Sequence, residues 1–367
     1  MSNSIPEKMV AVQLTGHGGF EKLVYREDVP VPSAGPGEVL VRIGAAGVNN
    51  TDINTRIGWY SKTVTDGTTS DGGSGGFEEA SDEDATWGGA PLQFPRIQGI
   101  DGAGTIVAVG EGVDPSRVGE RVLVDPCLRE PAGNHRYYSW FYGSECDGAF
   151  AQFSVAPSVH THKVESDLSD EELASFPCSY STAENMLTRS KVAAGDRVLV
   201  TGASGGVGSA AVQLAKRRGA EVVAVCGLAK ADEVKAAGAA EVISRDADLL
   251  AALGTESVDV VVDLVAGPSW PSLLEILKRG GRYAVAGAIA GPMVELDVRT
   301  LYLKDLSFFG CTVLEPEVFP NLVGYIERGE IKPLVAKTYP LSEIAQAQQD
   351  FLEKKHTGKL VLVPPKA

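Results

Sequence analysis

A glycine-rich stretch that follows an apolar run is the feature of this sequence that most directly predicts chemistry. Residues 198–200 lead into Gly202, Gly205 and Gly208, spaced G-x-x-G-x-x-G, and an amphipathic segment over 209–218 follows. Glycines let backbone N–H groups approach a pyrophosphate, and the positive end of the following helix faces that anion. A glycine cluster alone also fits a tight turn. Because this glycine cluster stands between a predicted strand and a predicted helix, it predicts dinucleotide binding.

The end of the next apolar run indicates which dinucleotide binds. An NAD-binding domain usually ends its second strand in a carboxylate that accepts hydrogen bonds from the ribose hydroxyls. Residues 221–225 instead lead into Cys226 and Gly227, the first acidic residue is Asp232, and Lys230 stands where a 2′-phosphate would lie. A lysine attracts that phosphate, whereas a carboxylate would repel it. The sequence therefore favours NADP over NAD, with a solvated lysine at a helix start as the alternative.

The glycine stretch belongs to a longer pattern that begins near residue 170. Short runs of β-branched residues alternate there with stretches of helical periodicity. These runs lie at residues 197–200, 221–225, 259–262, 282–285 and 306–309. Because they are apolar on both faces, they are typical of a buried parallel sheet in a doubly wound α/β domain. Ser169 and Glu172 form a capping signature that predicts one helix over residues 170–191.

The N-terminal part of the sequence shows a different pattern. Its apolar runs lie at residues 39–43, 105–109, 121–124 and 149–155, and turn signals such as Pro36-Gly37 separate them. This arrangement predicts an irregular antiparallel β domain. A chain of 367 residues is long enough for roughly two to three domains. We therefore expect a β domain followed by a parallel α/β domain.

Composition restricts the kinds of partner. The chain has 33 basic and 48 acidic residues, a net charge of −15, which argues against nucleic acid and anionic membranes as partners. No apolar run is long enough to span a membrane, and residues 1–10 lack the basic start and apolar stretch of an export signal. These features predict a cytoplasmic protein that acts on a small molecule. Five cysteines with wide spacing predict neither a disulfide framework nor a zinc knuckle.

The order of these motifs resembles the medium-chain dehydrogenase/reductase superfamily. The resemblance covers nearly the whole chain and also involves residues 258–267, 280–283 and 358–361. It implies a GroES-like irregular β-barrel catalytic domain over residues 1–178, completed by residues 315–367. It implies a Rossmann domain, a doubly wound parallel sheet, over residues 179–314, and a homodimer or homotetramer. The predicted cofactor-binding residues are Thr182, Ser204, Gly205, Gly206, Val207, Gly208, Gly227, Lys230 and Val265.

The zinc-dependent members of this superfamily hold a catalytic zinc ion with three protein ligands. In this sequence Asn49 stands at the position of the first ligand, a cysteine, and Ile100 at that of the second, a histidine. Only Cys178 keeps a ligand side chain. A tetrahedral zinc site needs three nitrogen, sulfur or oxygen ligands from the protein. The sequence therefore predicts no metal, with a zinc enzyme that uses Asp101 and Cys178 as the alternative.

The loss of zinc limits the reaction. Oxidation of a simple alcohol needs a Lewis acid to stabilise the alkoxide, whereas hydride addition to a conjugated acceptor spreads the new charge. The resemblance to the zinc-independent quinone oxidoreductase and enoyl reductase branch implies NADPH-dependent reduction of a quinone or an activated C=C bond. An NADPH-binding module without catalytic activity is the second alternative.

The predicted catalytic residues are Tyr60, Asn49 and Thr51. Residues 55–60 resemble an Arg-x-Gly-x-Tyr segment of that branch, which makes Tyr60 the candidate proton donor. Water is an equal rival as the donor, and Tyr60 could instead only pack against substrate. Asn49 and Thr51 are expected to line the nicotinamide and to hydrogen-bond the substrate carbonyl. For Thr51 a structural role in a turn is as well supported.

Residues 61–90 form an insertion with seven glycines, seven acidic residues and one lysine. We expect a solvated surface insertion, with a lid over the active site or a calcium-binding loop as alternatives. The aromatic residues at 137–142 are expected to pack in a loop or to form a wall of the substrate site. His160 and His162 are expected to be ordinary surface histidines, and Cys178 a buried thiol.

Overall fold

The structure is a computed structural model that describes residues 5–68, 70–89 and 91–366. Residues 1–4 and 367 belong to the predicted catalytic domain, and residues 69 and 90 to its insertion; these positions lie outside the described residues. Within the described part no helix is both long enough and apolar enough to cross a membrane.

The N-terminal part consists mainly of short strands. The strands are β1 (Lys8–Leu14), β2 (Leu23–Pro30), β3 (Glu38–Gly47), β4 (Arg96–Ile97), β5 (Ala103–Val109), β6 (Arg121–Val124), β7 (Cys127–Leu128), β8 (Trp140–Phe141), β9 (Phe153–Pro157) and β10 (Thr161–Lys163). The helices are α1 (Asn50–Ile57), α2 (Ser70–Gly75) and α3 (Asp170–Leu173).

The remaining chain alternates helices and strands. Its helices are α4 (Pro177–Arg189), α5 (Gly206–Arg217), α6 (Ala231–Ala237), α7 (Leu249–Leu253), α8 (Trp270–Ile276), α9 (Val298–Leu303), α10 (Val318–Glu327) and α11 (Ile344–Leu352). Its strands are β11 (Arg197–Val200), β12 (Glu221–Cys226), β13 (Glu241–Ser244), β14 (Val258–Asp263), β15 (Leu277–Val285), β16 (Ser307–Gly310), β17 (Val335–Pro340) and β18 (Lys359–Val363).

The Rossmann sheet has the strand order β13-β12-β11-β14-β15-β16, and all neighbouring strands are parallel. The order reverses between β11 and β14. Open parallel sheets bind ligands at this switch point, at the carboxyl ends of the strands. Helices cover both faces of the sheet, so its central strands are buried and mostly apolar, as the predicted α/β class requires.

The irregular β domain contains a seven-stranded sheet of order β10-β6-β5-β3-β18-β17, in which β9 also pairs with β3. A three-stranded sheet of order β2-β1-β4 packs beside it. The last strand, β18, is antiparallel to β3 and pairs Val361 with Gly47. The C-terminal strand therefore lies next to the segment that leads into α1. The predicted domain boundaries at 178/179 and 314/315 stay predictions.

Two details differ from the sequence-based expectation. The helix predicted over residues 170–191 is interrupted, because Pro177 has no N–H and is accepted only at the first turn of a new helix, α4. The predicted capping of the first segment is present, since Ser169 Oγ accepts a hydrogen bond from the N–H of Glu172 at 3.2 Å. Strand β13 was not predicted, because its apolar run consists only of Val242 and Ile243.

The acidic insertion packs against the body of the protein over its described residues. Arg56 is fully buried at the end of α1 and donates hydrogen bonds to Gly73 O at 2.6 Å, Gly18 O at 2.7 Å and Gln348 Oε1 at 2.8 Å. The arginine of the Arg-x-Gly-x-Tyr segment thus anchors the insertion. The N–H of Thr68 reaches Ile289 O at 3.0 Å, which places the insertion beside the loop that follows β15.

Candidate functional site

The glycine loop connects β11 to α5 at the carboxyl edge of the parallel sheet. A Cβ atom on Gly208 would lie 2.2 Å from Gly202 O, and one on Gly206 would lie 2.7 Å from Ser179 Oγ. Close backbone approach therefore requires glycine at position 208, whereas the neighbour of Gly206 is a serine side chain. Gly205 is the exposed N-cap residue of α5, whose first turn contains no acidic side chain. The positive end of this helix can accept an anion such as a pyrophosphate.

The neighbouring strand end is held by a buried carboxylate that the sequence analysis did not identify. Asp263, which is fully buried at the end of β14, accepts hydrogen bonds from Thr201 Oγ1, from Tyr283 OH and from the N–H of Val265. These bonds join the ends of β11, β14 and β15. Val265 then lies against the glycine loop, since its Cγ2 is 3.4 Å from the Cβ position of Gly202. An aspartate directly after a β-branched run was the available signal.

Lys230 lies beyond the end of β12, as predicted, but its ammonium has protein partners. It donates hydrogen bonds to Lys354 O at 2.5 Å and to His356 O at 2.7 Å, in the loop before β18. Gly227 occupies the strand end where an NAD-binding domain usually has a carboxylate. The role of Lys230 as a phosphate ligand stays a prediction.

Several cationic groups surround Lys230. Burial and the charge of Arg245 lower the pKa of Lys230, while Glu233 opposes this change. Burial and the charge of Lys230 lower the pKa of Lys354 to about 8. Burial and the nearby lysines lower the pKa of His356 to about 4, with Asp350 acting in the opposite direction. At neutral pH His356 is therefore uncharged, and the positive charge at this edge comes from Lys230, Arg245 and Lys354, in a protein whose net charge is −15.

Four positions correspond to the metal site of the zinc-dependent members: Asn49, Ile100, Asp101 and Cys178. They lie together in a buried, largely polar cluster. Asp101 Oδ1 accepts the N–H of Cys178 at 2.6 Å, and Asp101 Oδ2 accepts Asn49 Nδ2 at 2.7 Å. The N–H of Ile100 reaches Asp52 Oδ1 at 3.4 Å, and the N–H of Asn49 donates to Asp52 Oδ2 at 2.8 Å. Burial raises the pKa of Asp52 to about 7.

Lys359, at the start of β18, completes this cluster. Its Nζ lies 2.7 Å from Asp101 Oδ2 and 3.0 Å from Ser179 Oγ, and it donates to Asn49 Oδ1. The side chain is buried. The sequence analysis did not identify this residue, although a lysine at the head of the apolar run Leu360–Val363 was a signal that a buried partner exists.

These contacts bear on the predicted role of Asn49. Its Nδ2 donates to Asp101 and, at 3.4 Å, to Gly47 O, while its Oδ1 accepts from Lys359. A hydrogen bond from Asn49 to a substrate carbonyl therefore requires the exchange of one of these partners, and it stays a prediction. In the described arrangement Asn49 is the N-cap residue of α1 and connects that helix to the buried cluster.

Tyr60 and Thr51 form a second polar pair next to the cluster. Tyr60 OH donates to Thr51 Oγ1 at 3.1 Å, and both side chains keep partial exposure. Burial raises the pKa of Tyr60 to about 12, so the phenol keeps its proton throughout the neutral range. Because Thr51 Oγ1 accepts from Tyr60, its own proton is free to be donated. The pair can therefore relay a proton: Thr51 donates its hydroxyl proton and takes up the proton of Tyr60.

The residues present do not fit a catalytic zinc ion. Among the described residues no three His, Cys, Asp or Glu side chains are grouped so that they could hold a metal. Of the three zinc-ligand positions only Cys178 carries a ligand side chain, and a catalytic zinc ion needs three. Both oxygens of Asp101 already have protein partners. The alternative of a zinc site built from Asp101 and Cys178 is therefore not supported by the geometry.

The other candidate features have structural explanations. His160 is buried rather than on the surface, and it pairs with Asp125 and Glu130, so the expectation of a surface histidine is wrong for this residue. His162 packs against Phe319 at a ring distance of 5.0 Å. Within the aromatic segment, Phe141 stacks on Trp87 of the insertion at 4.2 Å.

Comparisons with known proteins agree with this architecture. Residues 35–166 match the family described as "Alcohol dehydrogenase GroES-like domain", and residues 206–328 match the family described as "Zinc-binding dehydrogenase". A quinone oxidoreductase from Lama guanicoe is 29% identical over 369 residues, covering 97% of this chain and 97% of that protein. An alcohol dehydrogenase from Schizosaccharomyces pombe is 28% identical and covers 98% and 99% of the two chains.

A solved structure shows a stronger similarity. The crystal structure of a candidate alcohol dehydrogenase from Sinorhizobium meliloti 1021 is 47% identical, with a TM-score of 0.87 and coverage of 99% of this chain and 98% of that chain. The order of motifs, the two domain types and this similarity over the full length agree with one another. The chain therefore belongs to the medium-chain dehydrogenase/reductase superfamily of oxidoreductases, in its quinone oxidoreductase-like branch.

Proposed function

We propose that the protein is an NADPH-dependent reductase of quinones or of activated C=C bonds and that it works without zinc. The observation that carries this proposal is the composition of the buried cluster, in which an amide, an isoleucine and a single thiol stand at the three positions of the zinc ligands. The relatives named quinone oxidoreductases support the same class of reaction.

Bound NADPH would supply a hydride to the acceptor. The residues predicted to hold it are the glycine loop at 202–208 for the pyrophosphate, Lys230 for the 2′-phosphate, and Thr182, Gly227 and Val265 elsewhere along the cofactor. The described geometry supports this set, because the loop, Val265 and α4 converge at one edge of the sheet. Among the polar side chains near α1, Thr51 and Tyr60 are the pair able to donate a proton to a reduced acceptor.

The function is tested by mixing NADPH with quinones, enones and enoyl thioesters and following the loss of nicotinamide absorbance. We expect turnover with at least one of these acceptors and no oxidation of simple alcohols with NADP⁺. Zinc addition should leave the rate unchanged. Tight binding of NADPH without turnover of any acceptor would instead favour the non-catalytic binding module, and zinc-dependent alcohol oxidation would contradict the proposal.

Replacement of Tyr60 by phenylalanine tests the proton donor. We expect kcat with an enone to fall about ten-fold, less than the 10² or more of a sole general acid, because water competes as the donor. The loss should be smaller for a quinone, whose reduced oxygens take protons readily from water. Since the pKa of Tyr60 is about 12, the tyrosine-dependent rate should stay flat between pH 6 and about pH 10. The half-buried Tyr25 on β2 provides a matched Tyr25→Phe control. An unchanged kcat in Tyr60→Phe would show that the ring only packs against substrate.

Replacement of Lys230 by alanine tests the preference for NADP. We expect KM for NADPH to rise about ten-fold relative to KM for NADH, as the loss of about 1.4 kcal/mol requires. The ratio is the readout, because the bonds from Lys230 to Lys354 O and His356 O affect both cofactors equally. Lys235→Ala is the control, because Lys235 is an exposed lysine on α6, the helix whose N-cap residue is Lys230.

The pH profile gives a second check on the cofactor. Lys354 loses its charge as the pH rises through about 8, so the wild-type KM for NADPH should rise between pH 7 and pH 9 while that for NADH changes little. Equal changes for both cofactors would indicate that this cationic edge does not bind the 2′-phosphate.

We also propose a homodimer that forms through the edge strand β16. This strand ends the Rossmann sheet and lies beside exposed apolar side chains, which are Met293, Val298, Tyr302, Leu303 and Phe308. An unpaired strand edge flanked by apolar residues is typical of an association surface. Sedimentation equilibrium should give twice the mass of one chain, and Tyr302→Asp with Leu303→Asp should shift the protein to monomer.

A further inference from the structure

Lys359 lies in the buried cluster that contains Asn49, one of the positions that carry zinc ligands in other members of the superfamily. Its Nζ is hydrogen-bonded or ion-paired to three side chains: Asn49 through Oδ1, Asp101 through Oδ2 at 2.7 Å, and Ser179 through Oγ at 3.0 Å. The side chain is only 3% exposed. A buried ammonium persists only where such partners replace its hydration, so this arrangement is a built cation site whose cation is part of the chain.

The ammonium links segments that are distant in sequence. Asn49 begins α1, Asp101 precedes β5, and Ser179 lies in the first turn of α4. Asp101 also accepts the N–H of Cys178 at 2.6 Å, which fixes the start of α4 from a second direction. These are the segments that would have to converge on a metal ion, and here they converge on one lysine nitrogen.

The backbone at Gly47 packs closely against the Lys359 and Asp101 side chains and leaves no space for a side chain at that position. A Cβ atom on Gly47 would lie 2.3 Å from Asp101 Oδ2 and 2.8 Å from Lys359 Cε. The aliphatic part of Lys359 also approaches the cofactor loop, because its Cδ is 3.7 Å from the Cβ position of Gly206. A divalent cation in this cluster would have to displace the ammonium or remain beside it, and like charges repel strongly in a site shielded from water.

We propose that the ammonium of Lys359 takes the place of the metal ion: it neutralises Asp101, orders the former ligand positions and excludes divalent cations. The exclusion of metal does not depend on the proposed reductase activity. Lys359 would also be a positioning residue during turnover, because it holds Asn49 and the start of α4. This second role rests on the proposed function.

The exclusion is tested by restoring the zinc ligands with and without the lysine. Asn49→Cys with Ile100→His gives cysteine, histidine and cysteine at positions 49, 100 and 178, and a second variant adds Lys359→Met. After dialysis against zinc, we expect the wild type and the double variant to retain less than one tenth of a zinc ion per chain, and the triple variant to retain about one. Cobalt substitution gives an independent spectroscopic signature of thiolate ligation.

Equal zinc retention by the double and triple variants would overturn the proposal, because the lysine would then not exclude the metal. Stoichiometric zinc in the wild-type crevice would overturn it as well. A third measurement does not need the redesigned site: an unchanged thermal midpoint in the single Lys359→Met variant would show that the ammonium is not the internal cation. Since none of these readouts uses turnover, a failure to reduce any acceptor would count against the proposed function alone.

Discussion

A Lys359→Met variant is expected to lose about 3 to 5 kcal/mol of unfolding free energy. The substitution keeps the apolar stem of the side chain and removes the ammonium that lies 2.7 Å from Asp101 Oδ2. Asp101 is fully buried, so its carboxylate would lose its cationic partner in a place that water does not reach. Denaturant unfolding followed by far-UV circular dichroism measures the loss.

The matched control is the double variant Asp101→Asn with Lys359→Met. It removes both charges but keeps an amide that can accept the N–H of Cys178 and occupy the same volume. Because replacement of a whole buried pair is often neutral, we expect the double variant to recover most of the free energy lost in the single variant. Equal losses in the two variants would show that packing of the lysine stem, and not the ion pair, stabilises this region.

A Gly208→Ala variant is expected to bind NADPH about a hundred-fold more weakly than the wild type. The new Cβ atom would lie 2.2 Å from Gly202 O, so the loop must open where α5 meets β11. Forced overpacking of this kind disfavours the native geometry by about 1 to 3 kcal/mol, which corresponds to about five-fold to about 150-fold in affinity. We expect the upper end, because the displaced backbone is the predicted pyrophosphate contact. Fluorescence titration with NADPH measures the affinity.

Two further glycine substitutions separate loop geometry from cofactor contact. Gly310→Ala is the control, since its Cβ would meet nothing within 4 Å in the same chain; because Gly310 lies on β16, sedimentation must show the same mass as for the wild type. Gly205→Ala should fold normally, because φ is −77° there and the nearest atom to the new Cβ is Gly202 O at 3.4 Å. It should still weaken NADPH binding, because the methyl group would sit at the exposed N-cap of α5. Wild-type affinity in Gly208→Ala would contradict the assignment of this loop to the cofactor.

Much of the architecture follows from local sequence patterns. The runs predicted at 197–200, 221–225, 259–262, 282–285 and 306–309 all lie in strands of the parallel sheet. The glycine spacing at 202–208 follows a strand and leads into a helix, as predicted, although α5 already begins at Gly206 instead of after Gly208. Both predictions depend on interactions within a few residues, so periodicity and backbone sterics suffice to make them. The prediction of one helix over residues 170–191 was wrong at Pro177, because the apolar periodicity continues across a residue that can only begin a new helix.

The candidate site depended far more on tertiary structure. The substitutions at Asn49 and Ile100 were visible in the sequence and predicted that zinc does not fit. What occupies the cluster instead was not visible, because Lys359 is 310 positions from Asn49 and no local pattern connects them. The burial of His160 against Asp125 and Glu130 was hidden for the same reason.

By itself, the sequence determined the superfamily, the parallel sheet, the glycine loop and the loss of the zinc ligands, because each of these is written in residues that are near one another. Only the tertiary structure decided that the Lys359 ammonium pairs with Asp101, that Lys230 bonds to the carbonyls of Lys354 and His356, and that Asn49 has protein partners. The physical reason is that the charge state and partners of a buried polar group depend on which distant segments the fold brings within about 3 Å of it.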